Sequence, residues 1–205
     1  MADGRPGKFI VIEGLDGSGK STQAGLLCAR LAALGKKCVR TFEPTDGKFG
    51  SLARKATKGE AVIGEAELAR LFAEDRREHR AKKIAPALAA GSFVVCDRHY
   101  HSNLAYQGGS PESYGMVAAL NESAMAAPPD VVFFLDVPPE TCARRLLGSR
   151  GEIGIYENIE SLRELRRRYV GVFRKLAGRE NIVAIDGAGR SEDAVLAEML
   201  AALGL

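Results

Sequence analysis

Gly14-Leu15-Asp16-Gly17-Ser18-Gly19-Lys20-Ser21-Thr22 directly follows the apolar run Phe9-Ile10-Val11-Ile12. This stretch fits the G-x-x-x-x-G-K-[ST] phosphate-binding loop at every fixed position. The β-branched run before it predicts a buried strand, and the pattern after it predicts a long helix. We therefore predict a nucleotide-binding loop between a strand and a helix, with residues 14–22 forming the nucleotide site.

The residue types in this loop suit the binding of a triphosphate. Several N–H donors must converge on the phosphates, and a glycine-rich turn lets the backbone approach that closely. The helix that begins near Gly19 adds the positive end of its dipole. Lys20 is expected to reach the β- and γ-phosphates, and the Ser21 hydroxyl is expected to bind a magnesium ion.

Composition limits the class of protein. The chain has 205 residues, which suits one α/β domain spanning residues 1–205. Its formal charge of +3 gives no argument for nucleic-acid binding, and no apolar run is long enough to cross a membrane. Residues 1–7 are polar and expected to be flexible, and we expect a cytoplasmic protein. The four cysteines have no metal-site or C-x-x-C spacing, so we expect buried free thiols.

Apolar runs alternate with helical patterns along the whole chain. The predicted strands are residues 8–13, 37–42, 92–96, 131–137 and 181–185. The predicted helices are residues 19–34, 51–58, 65–90 with a bend or interruption at Pro86, 111–126, 139–148, 157–177 and 191–203. This alternation predicts a three-layer α/β/α domain with a five-stranded parallel sheet. Ligands bind such a sheet beyond the carboxyl ends of its strands.

Asp97 and Arg98 end the third predicted strand, on the same rim as the phosphate-binding loop. A carboxylate there suits a magnesium site shared with Ser21, and Arg98 offers a planar fork for phosphate oxygens. The alternative is an Asp that caps the next segment. The N-K-x-D and D-x-x-G elements of a GTPase do not occur at the expected places. A small-molecule kinase is favoured over a nucleotide-gated binding protein or another ATPase.

Phe72 and Arg76 lie four residues apart in a predicted helix, so their side chains share one face. An aromatic ring and a guanidinium on one face could stack on a base and bind its edge. The residues by themselves also fit a simpler arrangement, with Phe72 in the core and Arg76 on a solvated rim.

A set of sequence blocks that spans nearly the whole chain resembles bacterial thymidylate kinases. The fold that this resemblance implies is α/β, the three-layer P-loop kinase fold with a five-stranded parallel sheet. The blocks are Gly14 to Ser21, Glu43-Pro44, Leu71-Phe72-Ala73-x-Asp75-Arg76, Asp97-Arg98-His99, Ser102-Asn103-Leu104-Ala105-Tyr106-Gln107-Gly108, Pro129-Asp130 and Leu135-Asp136-Val137-x-Pro139-Glu140.

The resemblance implies a role for each matching side chain on the acceptor side. Phe72 would stack on thymine, Arg76 would bind its exocyclic oxygen, and Asn103 would approach the base edge. Tyr106 would pack against the deoxyribose, where a ribose 2′-hydroxyl would clash. Arg98 would grip the acceptor phosphate.

Four further positions carry expectations from the same resemblance. Asp16 would face the sugar hydroxyl and phosphate of the acceptor. Arg54 and Gln107 are further candidates on the acceptor side. Asp97 would hold magnesium through water.

The chain departs from the family pattern mainly in the lid, residues 147–157. Gly154-Ile155 stands where relatives carry Asp-Arg, so the lid is short of arginine. Arg144, Arg145 and Arg150 remain, and Arg150 is expected to do the main catalytic work of the lid. Loss of a transition-state arginine costs roughly 10³-fold or more in phosphoryl transfer.

The resemblance implies ATP-dependent phosphorylation of dTMP to dTDP, with Mg²⁺, by a homodimer. Lys20, Asp16, Arg98 and Arg150 are the expected catalytic residues. Two alternatives stay open: a related nucleotide or nucleoside kinase with another acceptor, and a nucleotide-binding protein whose weakened lid no longer supports transfer.

Overall fold

The computed structural model of this chain describes residues 7–124, 128–150 and 155–205, without the side chains of residues 149–150 and 155–158. The expectation of a flexible start at residues 1–7 falls, apart from Gly7, outside these ranges. Part of the expected lid, residues 151–154, also falls outside them.

Five parallel strands form one sheet in the order β2-β3-β1-β4-β5. The strands are β1 (Phe9–Gly14), β2 (Cys38–Phe42), β3 (Phe93–Asp97), β4 (Val131–Asp136) and β5 (Ile182–Asp186). All four neighbouring pairs are parallel. The predicted five-stranded parallel sheet is therefore confirmed. Because β1 lies between β3 and β4, the phosphate-binding loop leaves the sheet where the strand order reverses, which is where α/β sheets bind ligands.

Helices cover both faces of this sheet. They are α1 (Lys20–Ala33), α2 (Lys48–Thr57), α3 (Glu65–His79), α4 (Ala85–Ala89), α5 (Tyr100–Gln107), α6 (Pro111–Ala124), α7 (Pro139–Arg150), α8 (Ile155–Leu176) and α9 (Glu192–Leu203).

Two apolar cores, one on each face, hold the layers together. On one face, Ile10 and Ile12 of β1 pack with Leu27 of α1 and Met199 of α9. On the other face, a cluster that includes Val11 of β1 and Tyr169 of α8 joins the remaining layer. Alternate residues of one strand thus enter opposite cores, as the period of two in a strand requires.

Two elements differ from the sequence prediction. The segment after Arg98, predicted as loop, contains helix α5, whose Ser, Asn and His residues give it low intrinsic helix propensity. The long predicted helix 65–90 consists of α3, a π-helical turn at Arg80–Ile84 and α4. The π turn ends two residues before Pro86, which has no backbone N–H to donate, so the expected interruption begins before the proline.

The cysteines also differ from expectation. Cys28 of α1 and Cys38, the first residue of β2, form a disulfide, with their Cα atoms 5.6 Å apart. The prediction of four free thiols is therefore wrong for this pair, because the tight α1–β2 turn brings two residues ten positions apart into contact. Cys96 and Cys142 are free and buried, as predicted.

Among the described residues, no helix combines the length and the apolar character needed to cross a membrane.

Candidate active site

The phosphate-binding loop has the backbone conformation that its glycines predict. Gly14, Gly17 and Gly19 have φ angles of 149°, 81° and 97°, which L side chains rarely adopt. A Cβ atom at Gly17 would also lie 2.6 Å from the carbonyl oxygen of Cys142. The glycine at this position is therefore required both by its conformation and by close packing against α7.

Residues 16–22 of the loop line a cavity of about 660 Å³. The opposite walls come from the end of β2, from α7 through Arg145, and from the β5–α9 turn through Arg190. Leu15 lies in the apolar core instead, and Gly14 is the last residue of β1. These two residues support the loop through their backbones.

The lysine of the motif is folded back onto its own loop. Lys20 Nζ donates a hydrogen bond to the backbone oxygen of Leu15 at 2.7 Å. Burial, reinforced by the nearby charge of Arg98, lowers the pKa of Lys20 to about 8. The carboxylates of Asp16, Asp97 and Glu13 oppose this shift, and a triphosphate in the cavity would add further negative charge beside the ammonium.

Ser21 and Asp97 meet as the magnesium prediction requires. Pairing of β1 with β3 sets Asp97 beside Ile12, and Ser21 Oγ donates a hydrogen bond to Asp97 Oδ2. Asp97 Oδ1 is buried and has no hydrogen-bond partner among the described residues. A hydroxyl and a carboxylate with an unpaired oxygen are the hard oxygen donors that Mg²⁺ takes, so these residues fit the ion.

A second cavity of about 200 Å³ adjoins the first. All seven side chains predicted to bind the acceptor line it. They are Arg54, Phe72, Arg76, Arg98, Asn103, Tyr106 and Gln107. They come from α2, α3, α5 and the β3–α5 turn, segments that are distant in sequence. The helix that sequence patterns missed, α5, supplies Asn103, Tyr106 and Gln107.

The two cavities share the wall residues Asp16, Glu43, Pro44, Arg54 and Arg98. Arg98 Nη2 donates a hydrogen bond to Asp16 Oδ1 at 2.6 Å, and the Tyr106 hydroxyl lies 3.3 Å from Asp16 Oδ2. Arg98 has a φ angle of 68°, unusual for a residue with a side chain, and such strain concentrates at functional sites. An arginine and a carboxylate thus stand at the junction of the two cavities.

Tyr169 and Glu13, which are buried and which the sequence analysis did not select, hold Arg98 in place together with Ser102. Arg98 Nη1 donates hydrogen bonds to the Ser102 and Tyr169 hydroxyls, each at 3.0 Å. Glu13, at the end of β1, accepts hydrogen bonds from the Ser102 hydroxyl at 2.7 Å and the Tyr169 hydroxyl at 3.2 Å. Burial opposes ionisation of Glu13, but His101, Arg98 and Ser102 hold its pKa below the usual value. The sequence signal that could have identified Glu13 is its charge, because it directly follows the apolar run Phe9–Ile12.

Arg76 is 2% exposed, unlike the solvated arginine of the simpler interpretation, and its Nε is buried without a hydrogen-bond partner among the described residues. Its Nη2 forms an ion pair with Glu43 Oε2 at 2.7 Å, and its Nη1 donates to Asn121 of α6. Phe72, one turn earlier on α3, is half-buried against the same cavity. The shared helical face predicted for this pair therefore points into the second cavity.

The remaining predicted arginines have different surroundings. Arg54 donates to the backbone oxygen of Pro44 and forms an ion pair with Asp46 at 2.6 Å. Arg145 Nη1 donates to the backbone oxygen of Gly17 at 3.2 Å, which brings α7 onto the phosphate-binding loop. Arg150 is the last residue of α7, and its side chain lies outside the described part of the structure.

Comparison with known proteins gives one consistent result. The family model described as thymidylate kinase matches residues 12–198. A thymidylate kinase of Desulfotalea psychrophila is 41% identical over 147 residues, which cover 72% of this chain and 72% of that protein. A thymidylate kinase of Akkermansia muciniphila is 40% identical over 168 residues, covering 82% of this chain and 80% of that protein.

A solved structure agrees with the sequence relatives. The crystal structure of thymidylate kinase from Ehrlichia chaffeensis superposes with a TM-score of 0.76 at 25% identity. The match covers 97% of this chain and 100% of the other chain.

Proposed function

This chain belongs to the thymidylate kinase family, and we propose that it transfers the γ-phosphoryl group of ATP to the 5′-phosphate of dTMP, giving ADP and dTDP. The observation that carries this proposal is the junction of the two cavities at Asp16 and Arg98. A donor triphosphate in the first cavity and an acceptor in the second would bring their phosphates together there. Positioning and charge neutralisation at this point are what phosphoryl transfer requires.

Each charged side chain at the junction has a separate proposed role in phosphoryl transfer. Lys20 would leave the Leu15 carbonyl for the β- and γ-phosphates, and Arg98 would hold the acceptor phosphate. Asp16 would orient Arg98 and face the acceptor sugar and phosphate. Arg150 of the predicted lid would neutralise charge on the transferring phosphoryl group. We propose the same role for Arg145, because its guanidinium contacts the phosphate-binding loop.

Ser21 and Asp97 would hold Mg²⁺, which would supply positive charge to neutralise the transferring phosphoryl group. The unpaired Asp97 Oδ1 supports this assignment. Ser21 Oγ, which donates to Asp97 in this structure, would be the hydroxyl ligand of the ion.

The second cavity supports a pyrimidine deoxynucleotide as acceptor. Phe72 offers a ring face for the base, and Arg76 offers a buried donor for a carbonyl oxygen at its edge. Asn103 and Gln107 line the same side, and Tyr106 stands between the base region and Asp16, where the sugar would lie. Arg54 lies where the two cavities join and is a further phosphate contact.

An ADP-release assay with a panel of acceptors tests the proposal. The panel contains dTMP, dUMP, dCMP, dGMP and thymidine, each with ATP and Mg²⁺. We expect the highest kcat/KM with dTMP and a lower but measurable value with dUMP, since one methyl group is worth ~1–3 kcal/mol in a pocket. A higher kcat/KM with thymidine or another monophosphate would favour a kinase with a different acceptor. ATP binding with no turnover would favour a nucleotide-binding protein.

Assembly and location complete the proposal. We propose a homodimer, as the resemblance implies, and sedimentation at micromolar concentration distinguishes a dimer from a monomer. The alanine-rich segment that ends α6 is a candidate contact. We place the protein in the cytoplasm because its proposed substrates, ATP and a nucleoside monophosphate, are cytoplasmic metabolites.

A further inference from the structure

Helices α3, α5 and α6 meet behind the second cavity at a buried amide. Asn121 of α6 is 1% exposed and carries three hydrogen bonds. Its Oδ1 accepts from Arg76 Nη1, and its Nδ2 donates to Asn103 Oδ1 at 2.9 Å and to the Val117 backbone oxygen at 2.8 Å. Asn121 therefore links two side chains that line the base region of the cavity.

The orientation of this amide is fixed by its partners. A guanidinium only donates hydrogen bonds, so the group of Asn121 that faces Arg76 must be its carbonyl oxygen. A backbone oxygen only accepts, so the group that faces Val117 must be the NH₂. Turning the amide over would place its NH₂ against the Arg76 donor and its carbonyl oxygen against the Val117 backbone oxygen. In this buried position each lost hydrogen bond costs about 1–3 kcal/mol.

The fixed orientation of Asn121 also determines the orientation of the next amides in the wall of the cavity. Asn103 accepts from Asn121 through Oδ1, so its NH₂ is directed along α5, where it donates to Gln107 Oε1 at 3.0 Å. The NH₂ group of Gln107 is then the end of the chain. Donors and acceptors are thus ordered from Arg76 through Asn121 and Asn103 to Gln107. Asn121 sets the order without facing the cavity itself.

We propose that Asn121 is the positioning residue for base selection, because it fixes the hydrogen-bond order that the second cavity presents to a pyrimidine. Thymine has an acceptor oxygen at C4, and cytosine has a donor amino group there. At N3 the pattern is the opposite, since thymine has an N–H donor and cytosine has an acceptor nitrogen. A wall whose amides cannot turn recognises one of these patterns, and a wall whose amides are free to turn accommodates both. This proposal rests on the proposed function, which makes dTMP the acceptor.

Two substitutions at this position test the proposal. The carboxylate of Asn121→Asp still accepts from Arg76 but cannot donate to Asn103 or to the Val117 backbone oxygen, so the Asn103 amide must turn over and reverse the order. Asn121→Ala removes the link without adding charge. Asn181→Ala is the matched control, because that amide donates to the backbone oxygen of Asp130 on an exposed surface.

The readout is kcat/KM for dTMP divided by kcat/KM for dCMP. We expect the ratio to fall about tenfold or more in Asn121→Asp, as one reversed hydrogen bond implies. In Asn121→Ala, we expect the ratio to fall and the KM for dTMP to rise about tenfold, with kcat and the KM for ATP within about twofold of the parent. Asn181→Ala should leave all of these values unchanged. If dCMP turnover is too slow to measure, dissociation constants of dTMP and dCMP from titration calorimetry give the ratio.

A ratio within about twofold of the parent in both Asn121 variants overturns the proposal. The same holds if their melting temperatures fall while the ratio stays constant, since that pattern indicates a structural role alone. If Asn121→Asp does not fold, the ratio in Asn121→Ala decides. Failure of the proposed function is distinguishable, because it would appear as absent dTMP turnover in the parent protein.

Discussion

The hydroxyl group of Tyr169 lies 3.0 Å from Nη1 of Arg98, although the two residues are 71 positions apart in the chain. The same hydroxyl lies 2.8 Å from Ser102 Oγ and 3.2 Å from Glu13 Oε2. Tyr169 is buried in α8, which begins within the predicted lid range, and Arg98 stands at the junction of the two cavities. Helix α8 is thereby joined by a partly buried hydrogen bond to Arg98, the residue proposed to hold the acceptor phosphate.

Tyr169→Phe should weaken catalysis more than folding. The substitution keeps the ring in the core but removes a hydroxyl that accepts a hydrogen bond from the charged Arg98. A hydrogen bond to a charged group is worth about 1.5–3 kcal/mol. We expect kcat/KM for dTMP to fall about 10- to 100-fold while the KM for ATP changes little. Tyr114→Phe, on α6 beside Lys175, is the matched control. Equal kcat/KM values in the parent and Tyr169→Phe would mean that Ser102 and Asp16 position Arg98 without help.

Phe72→Ala should weaken the binding of dTMP, the phosphoryl acceptor, and leave the binding of ATP unchanged. The ring lines the second cavity and is absent from the wall of the first. Stacking of a base on an aromatic ring is worth about 1–3 kcal/mol, so we expect the KM for dTMP to rise about 10- to 100-fold. The KM for ATP serves as the internal control. Equal loss of affinity for both nucleotides, together with a lower melting temperature, would make Phe72 a core residue.

Arg145→Ala and Arg150→Ala should lower kcat more than they weaken ATP binding. Both arginines belong to α7, and Arg145 contacts the phosphate-binding loop at Gly17. An arginine that meets the transferring phosphoryl group contributes roughly 10³-fold or more to the rate. Steady-state kinetics with ATP and dTMP measure the effect, with the exposed Arg30→Ala of α1 as control. A variant that keeps the parent kcat identifies its arginine as a solvated surface residue.

Glu180 should make stability depend on pH. Burial raises the pKa of Glu180 from its ordinary value of 4.5 to about 7, and its Oε2 lies 2.9 Å from His101 Nε2. Burial also lowers the pKa of His101, so a neutral imidazole stands between Glu180 and Glu13. The folded protein holds the Glu180 proton more tightly than the unfolded chain does. Its contribution to stability is therefore full below about pH 4.5 and is lost as pH rises through 7.

Thermal unfolding between pH 5 and 8 measures this loss, which we expect to be on the order of 2 kcal/mol in the parent. Glu180→Gln keeps a donor for His101 and has no proton to lose, so its unfolding free energy should vary less over this range. Glu160, which forms an exposed ion pair with Arg163, is the control, and Glu160→Gln should follow the parent curve. If the parent and Glu180→Gln show the same pH dependence, Glu180 titrates near its ordinary pKa in the folded protein.

Local patterns were sufficient for the sheet and the phosphate-binding loop. Both depend on neighbouring residues: β-branched runs for the strands, and glycines at fixed spacing for the turn. The side chains of the second cavity needed more than local pattern. Phe72 and Arg76 were ambiguous by themselves, and only the resemblance pointed to their role, because the walls of the cavity come from four segments distant in sequence.

The residues that were missed act through tertiary contacts. Glu13, Tyr169 and Asn121 do not belong to a recognisable motif, and each becomes informative only when its partners are known. Helix α5 was missed because its stability comes from packing on α6 and α8 and not from helix propensity. The Cys28–Cys38 pair was missed because a spacing of ten residues says nothing about the turn between a helix and a strand.

The formation of dTDP from ATP and dTMP is the most direct test of the account. The product should be separated and quantified by ion-exchange chromatography in the presence of Mg²⁺, so that phosphoryl transfer is distinguished from ATP hydrolysis. We predict that dTDP and ADP appear in equal amounts and that both cease to form when EDTA is added. ADP without dTDP, or bound ATP with neither product, would contradict it.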